Sequence, residues 1–133
     1  TLGCARARNL WAWEDAALGL DVLQVHTYPD TRHPGRDLDF YGLPPSGLGV
    51  SRDVLIGEFP CDAPRQSPPG TSPPSRTLDD YLEFALERGY AGAWPWSFSG
   101  TDAYGRVPEA PLRRFAGRHP GLVNPRAAAL STG

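Results

Sequence analysis

Val54-Leu55-Ile56-Gly57-Glu58-Phe59, preceded by Asp53 and closed by Pro60, is the densest apolar run of the 133-residue chain. β-Branched residues at positions 54 and 56 and a length of this order predict a buried strand. One residue breaks the pattern. Desolvating the Glu58 carboxylate is costly unless hydrogen-bond donors reach it or it borders a solvent-filled pocket. Glu58 is therefore either part of a functional site or a carboxylate that caps a neighbouring loop.

Upstream, Leu20-Asp21-Val22-Leu23-Gln24-Val25-His26-Thr27-Tyr28, ended by Pro29, predicts a second buried strand. Downstream, Tyr90-Ala91-Gly92-Ala93-Trp94-Pro95-Trp96-Ser97-Phe98 predicts a third, with Gly92 allowing close approach of a neighbour and Pro95 unable to donate to a ladder. Helices alternate with these strands. Residues 9–18 carry apolar side chains at helical spacing (Leu10, Trp13 or Ala17, Leu18) and stop at Gly19. Thr77 caps a further helix that has Asp79 and Asp80 in its first turn, buries Leu78, Leu82, Ala85 and Leu86, and ends at Gly89. A last helix over Glu109–Arg118 turns Leu112, Phe115 and Ala116 inward and leads into a tail over residues 119–133. Residues 29–52 hold turn formers and no helical stripe, so that crossover is irregular or carries only a short helix. The Pro-rich stretch 61–76 reads as a surface loop.

This alternation predicts an α/β fold with a parallel sheet. Three strands are too few to close a barrel of eight or to fill a doubly wound sheet, both of which need roughly 200 residues or more. The chain reads as one domain over residues 1–133 that is part of a larger fold, or else as a small complete α/β domain with a short sheet.

Composition narrows the function classes. Fifteen acidic residues face 13 basic ones, all arginine, for a formal net charge of -2, which excludes a strongly basic nucleic-acid or anionic-membrane surface. Gly and Pro, 15 residues each, are balanced by 40% hydrophobic and 11% aromatic content, so an ordered but loop-rich piece is expected. No window approaches the roughly 18 uncharged apolar residues of a membrane span, and the start at Thr1 has neither Met nor a hydrophobic signal core. A soluble segment made by processing or truncation is expected, its localisation otherwise open. Cys4 and Cys61 are too few to form a metal cluster by themselves and are expected as two thiols; no metal and no cofactor is implied.

In parallel α/β folds, functional groups gather at the C-terminal ends of the strands. All three predicted strands end in side chains suited to chemistry or to sugar binding. His26 and Tyr28 share a face because strand side chains alternate, and the Tyr28 hydroxyl is placed to donate to Glu58. A lone His at a strand end is as often structural as functional. Trp94, Trp96 and Phe98 also share a face; such indoles either stack on sugar rings or belong to the core. No Gly-X-Ser-X-Gly stretch occurs, which argues against a serine hydrolase.

Leu23-Gln24-Val25-His26-Thr27-Tyr28-Pro29, Val54-Leu55-Ile56-Gly57-Glu58-Phe59 and Gly92-Ala93-Trp94-Pro95-Trp96-Ser97-Phe98-Ser99-Gly100 resemble the sixth, seventh and eighth strand ends of a (β/α)8-barrel glycoside hydrolase of the cellulase and mannanase family. The resemblance spans residues 10–118 and implies a parallel-sheet partial TIM barrel, the C-terminal three or so β/α units of a (β/α)8 barrel. It implies a retaining hydrolase of β-linked polysaccharide or oligosaccharide with Glu58 as catalytic nucleophile. Tyr28 would orient that nucleophile, His26 would line the same subsite, and Trp96, or second Trp94, would form the platform under the sugar. The family's acid/base glutamate follows an asparagine, and no Asn-Glu pair occurs here. Glu14 would lie on the outer helical ring, while Asp30 and Asp102 fall in loops on the catalytic side. A non-catalytic carbohydrate-binding or scaffold fragment is the alternative. The expected partners are a carbohydrate substrate and either a second copy or a complementing N-terminal half-barrel, with no nucleic acid and no membrane.

Overall fold

In the computed structural model, which describes residues 1–4, 7–28, 43–61, 77–101 and 106–123, the run from Val54 forms an inner strand. Strand β3 (Val54–Pro60) lies between β2 (Leu23–His26) and β4 (Ala93–Trp96), and a two-residue strand β1 (Gly3–Cys4) pairs with the far side of β2. All pairings are parallel and the spatial order β1-β2-β3-β4 follows the chain. The fold is α/β with a four-stranded parallel sheet, one strand more than the sequence predicts. Two residues are too short to leave a periodic signal, and Gly3–Cys4 becomes a strand only because β2 offers it an edge.

One face of the sheet carries the core. Leu23 and Val25 from β2, and Val54, Ile56 and Phe59 from β3, are almost fully buried there against Leu10, Tyr81 and Leu82. Each such side chain contributes about 1.5–3 kcal/mol relative to leaving it exposed. Phe59 stacks on Tyr81 with ring centroids 4.8 Å apart. Among the described residues, the helices that reach the sheet pack on this face.

Helix α1 (Leu78–Arg88) begins as its sequence requires. Thr77 Oγ1 accepts from the Asp80 backbone N–H while Asp80 Oδ2 accepts from the Thr77 backbone N–H, and Gly89 closes the helix. Its buried face also includes Tyr81 and Phe84, with Leu86 only half buried. Helix α2 (Glu109–Arg118) has the predicted bounds and lays Leu112 and Phe115 against the core.

Local departures from the sequence reading have local causes. Residues 9–18 do not form one α-helix; they belong to two 3₁₀ helices, Ala7–Glu14 and Ala16–Leu18, separated by Asp15, whose carboxylate accepts from the Ala17 N–H. That side-chain bond offers the backbone an alternative to a continuous helix. A short 3₁₀ helix over Pro45–Leu48 is the regular structure described in the crossover. Gly92 has nothing within 4 Å of where a Cβ would stand, so it does not serve a close approach. The predicted tail begins with one helical turn, α3 (Pro120–Val123); its residues 124–133 and loop residues 62–76 lie outside the described residues, as do Asp30 and Asp102. Cys4 and Cys61 are not joined by a disulfide. No helix among the described residues is long and apolar enough to cross a membrane.

Candidate functional site

The face of the sheet turned away from the helices carries Leu55 and a set of polar side chains. On β2 the alternation is regular: Leu23, Val25 and Thr27 are buried toward the helices, which leaves Gln24, His26 and Tyr28 in a row on the opposite, open face. On β3 it is not regular. Val25 pairs with Ile56, but the next residue, His26, pairs with Glu58, so Gly57 is an extra residue in the ladder. Strict alternation from Val54 and Ile56 would drive Glu58 into the apolar core. The bulge turns both Gly57 and Glu58 to the open face and returns Phe59 to the core beside Tyr81.

Two side chains converge on the redirected carboxylate and a third backs one of them. The Tyr28 hydroxyl donates to Glu58 Oε2 at 2.9 Å, and His26 Nδ1 lies 3.2 Å from the same oxygen. Behind His26, the Gln24 amide nitrogen stands 3.4 Å from the imidazole Nε2. Among the described residues no donor reaches Oε1. The Glu58 side chain is 25% exposed and the His26 side chain 18%, so the carboxylate is partly desolvated, and the Tyr28 hydroxyl offsets that cost at Oε2.

Glycine makes this crowding feasible. A Cβ on Gly57 would overlap the Gln24 side chain from Cγ to Nε2, and one on Gly3 would stand 2.8 Å from His26 Nε2. The two glycines provide the room in which Gln24 and His26 lie flat against the sheet.

The indoles stand one strand over. Ile56, Phe59 and Pro60 pair with Ala93, Pro95 and Trp96; Ala93 packs against the core, so Trp94 and Trp96 alternate onto the open face, where they are 55% and 42% exposed. Phe98, beyond the strand, is 84% exposed. These are not core aromatics. An exposed indole at a strand end is a large flat apolar surface suited to stacking on a ring.

The other described carboxylates lie elsewhere. Glu14 accepts from the Ser51 and Arg52 backbone N–H groups and from Ser51 Oγ, which hold its carboxyl below the usual range and tie the 3₁₀ helix to the chain entering β3. Asp21 and Asp53 precede β2 and β3, at the opposite end of the sheet. Among the described residues, no group of three or more His, Cys, Asp or Glu is placed to hold a metal ion.

A carboxylate with one oxygen held by a Tyr28 hydroxyl and flanked by His26 acts either as an oriented nucleophile or as a strong hydrogen-bond acceptor. Compared with family models, curated proteins and solved structures, the chain matches none.

Of the residues singled out from the sequence, the structure brings His26, Tyr28 and Glu58 into direct contact and sets Trp94 and Trp96 on the adjoining strand of the same face. Sequence reasoning missed Gln24, Gly57 and Gly3. Gln24 was within reach of it, two residues before His26 and so on the same face. For Gly57 the available signal was a lone glycine inside a strand run, which suggests a bulge or a close approach.

Proposed function

We propose that this chain is the C-terminal part of a retaining glycoside hydrolase acting on β-linked polysaccharide or oligosaccharide, with Glu58 as nucleophile and Trp96 and Trp94 as the sugar platform. The observation that carries this reading is the asymmetric carboxylate: Tyr28 and His26 both approach Oε2, and no described donor reaches Oε1. A partial TIM barrel is supported by three features together. The strands are parallel and follow chain order, the described helices lie on one face, and the other face carries polar side chains at the C-terminal ends of the strands. A doubly wound sheet would cover both faces and reverse its strand order, whereas a barrel encloses one face and places its site at that end. The open edges of β1 and β4 would pair with a complementing half-barrel or a second copy.

A retaining mechanism also needs a second carboxyl, about 5–5.5 Å from the first, as acid and base. Among the described residues none stands on the open face. The first half-reaction can be separated from that requirement by a leaving group that needs no protonation. A 2-deoxy-2-fluoroglycosyl fluoride provides one: Oε1 forms the bond to the anomeric carbon, fluoride departs with the bonding pair, and the glycosyl ester accumulates. Peptide mass mapping should find the label on Glu58 and no label in Glu58→Gln. Labelling of another residue, or equal labelling of the variant, removes the assigned role.

The exposed indoles and the lack of a second carboxyl on the described open face favour one other reading, a carbohydrate-binding fragment without turnover. Saturable oligosaccharide binding that is lost in Trp96→Ala, with no covalent label under any condition, identifies that case.

A further inference from the structure

Gln24 has no part in either reading, yet its side chain fills the space over Gly57 on the open face. We propose that Gln24 is a positioning residue that fixes the tautomer of His26 and thereby keeps the Nδ1 proton aimed at Glu58. An amide nitrogen donates and does not accept. With the Gln24 Nε2 amide 3.4 Å from His26 Nε2, that ring nitrogen must present its lone pair, so the single proton of the neutral ring sits on Nδ1. There Glu58 Oε2 lies 3.2 Å away. The opposite tautomer is doubly disfavoured: it sets two N–H donors face to face at Nε2 and two acceptor lone pairs face to face at Nδ1.

Gln24 holds this orientation because it has little freedom to leave it. Its side chain from Cγ to Nε2 fills the space over Gly57 that any Cβ there would claim. The glycine that makes the bulge thus also seats the residue behind the histidine, and one irregularity in β3 places both ends of the chain Gln24, His26, Glu58. The hydrogen bond on one nitrogen of a histidine decides which other nitrogen carries the proton. The titratable groups facing His26 among the described residues are Glu58 and, through the same oxygen, Tyr28.

The consequence for catalysis rests on Glu58 being the nucleophile proposed above, whereas the tautomer is read without substrate and stands or falls alone. Long-range ¹⁵N–¹H correlation spectra distinguish a protonated from an unprotonated ring nitrogen directly. At about pH 8.5, some two units above the ordinary imidazole value, His26 should show a protonated Nδ1 and an unprotonated Nε2. Glu58→Leu should keep that pattern, because Gln24 still donates to Nε2. The double variant Gln24→Leu/Glu58→Leu should lose it and shift to the Nε2–H form that free histidine prefers. Loss of the pattern in Glu58→Leu, or its persistence in the double variant, overturns the role of Gln24. Where the double variant does not fold, Gln24→Glu serves instead: a carboxylate at that place accepts, and the proton must appear on Nε2. An unchanged spectrum there is equally fatal.

Discussion

Gly57→Ala tests the geometry of the bulge where it is tightest. Gly57 is not among the glycines with positive φ, so alanine meets no backbone penalty of that kind and restricts the unfolded chain, a gain of about 0.4–1 kcal/mol. Against this stands the overlap of the new methyl with Gln24 from Cγ to Nε2. Overpacking of this kind costs about 1–3 kcal/mol, and it expels Gln24 from its contact with His26. The net expectation is a loss of about 1–2 kcal/mol, which lowers Tm by roughly 4–8 °C in a domain of this size. The same substitution made in a Gln24→Ala background has no side chain to displace. There only the unfolded-chain effect remains, and Gly57→Ala should be neutral or stabilising by up to about 1 kcal/mol. Urea denaturation of the four proteins in this cycle gives the coupling directly. An equal loss in both backgrounds would show that Gln24 does not occupy the space over Gly57, and the account of how the bulge seats Gln24 would fail with it.

Two further outcomes follow from the helices. Asp79, bonded first by Arg114 and then by Arg118, and Glu83, bonded by Arg118 and His119, have carboxyls held below their usual values. Because the folded values are the lower ones, this stabilisation is present above the ordinary carboxylate range of about 4 and is lost as pH falls through the folded values. The Tm advantage of wild type over Arg118→Ala should therefore shrink on acidification below about pH 4.5, and a gap independent of pH would refute the linkage. Thr77→Ala removes one half of the capping box on α1; a loss of about 0.5–2 kcal/mol is expected in the urea midpoint, and no change would mean that the cap contributes nothing.

The parts of the fold legible in the sequence are those set by short-range chemistry. Thr77, Asp80 and Gly89 bound α1 because a cap is satisfied within three or four residues of itself, and α2 has its predicted limits for the same kind of reason. The strands around Leu23, Val54 and Ala93 were legible as apolar runs, although β2 and β4 proved shorter than those runs. Strand β1 was not legible, since it consists of two residues selected by a neighbour. The 3₁₀ geometry of Ala7–Glu14 was not legible either, since the apolar spacing of one helical turn looks much the same in both helix types.

For the candidate site the division is sharper. The sequence by itself determined that His26 and Tyr28 share a face, since alternation along a strand needs no partner, and that a carboxylate stands near the end of the next strand. It also determined the order of β2, β3, α1, β4 and α2. Which way Glu58 points was decided only by tertiary structure. By parity alone, residue 58 belongs with Val54 and Ile56 in the core; pairing with β2 and the burial of Phe59 beside Tyr81 force one extra residue into the ladder and turn the carboxylate over. A lone glycine such as Gly57 hints at a bulge, but the extra residue and the direction it gives Glu58 belong to two strands held against a core, not to one segment.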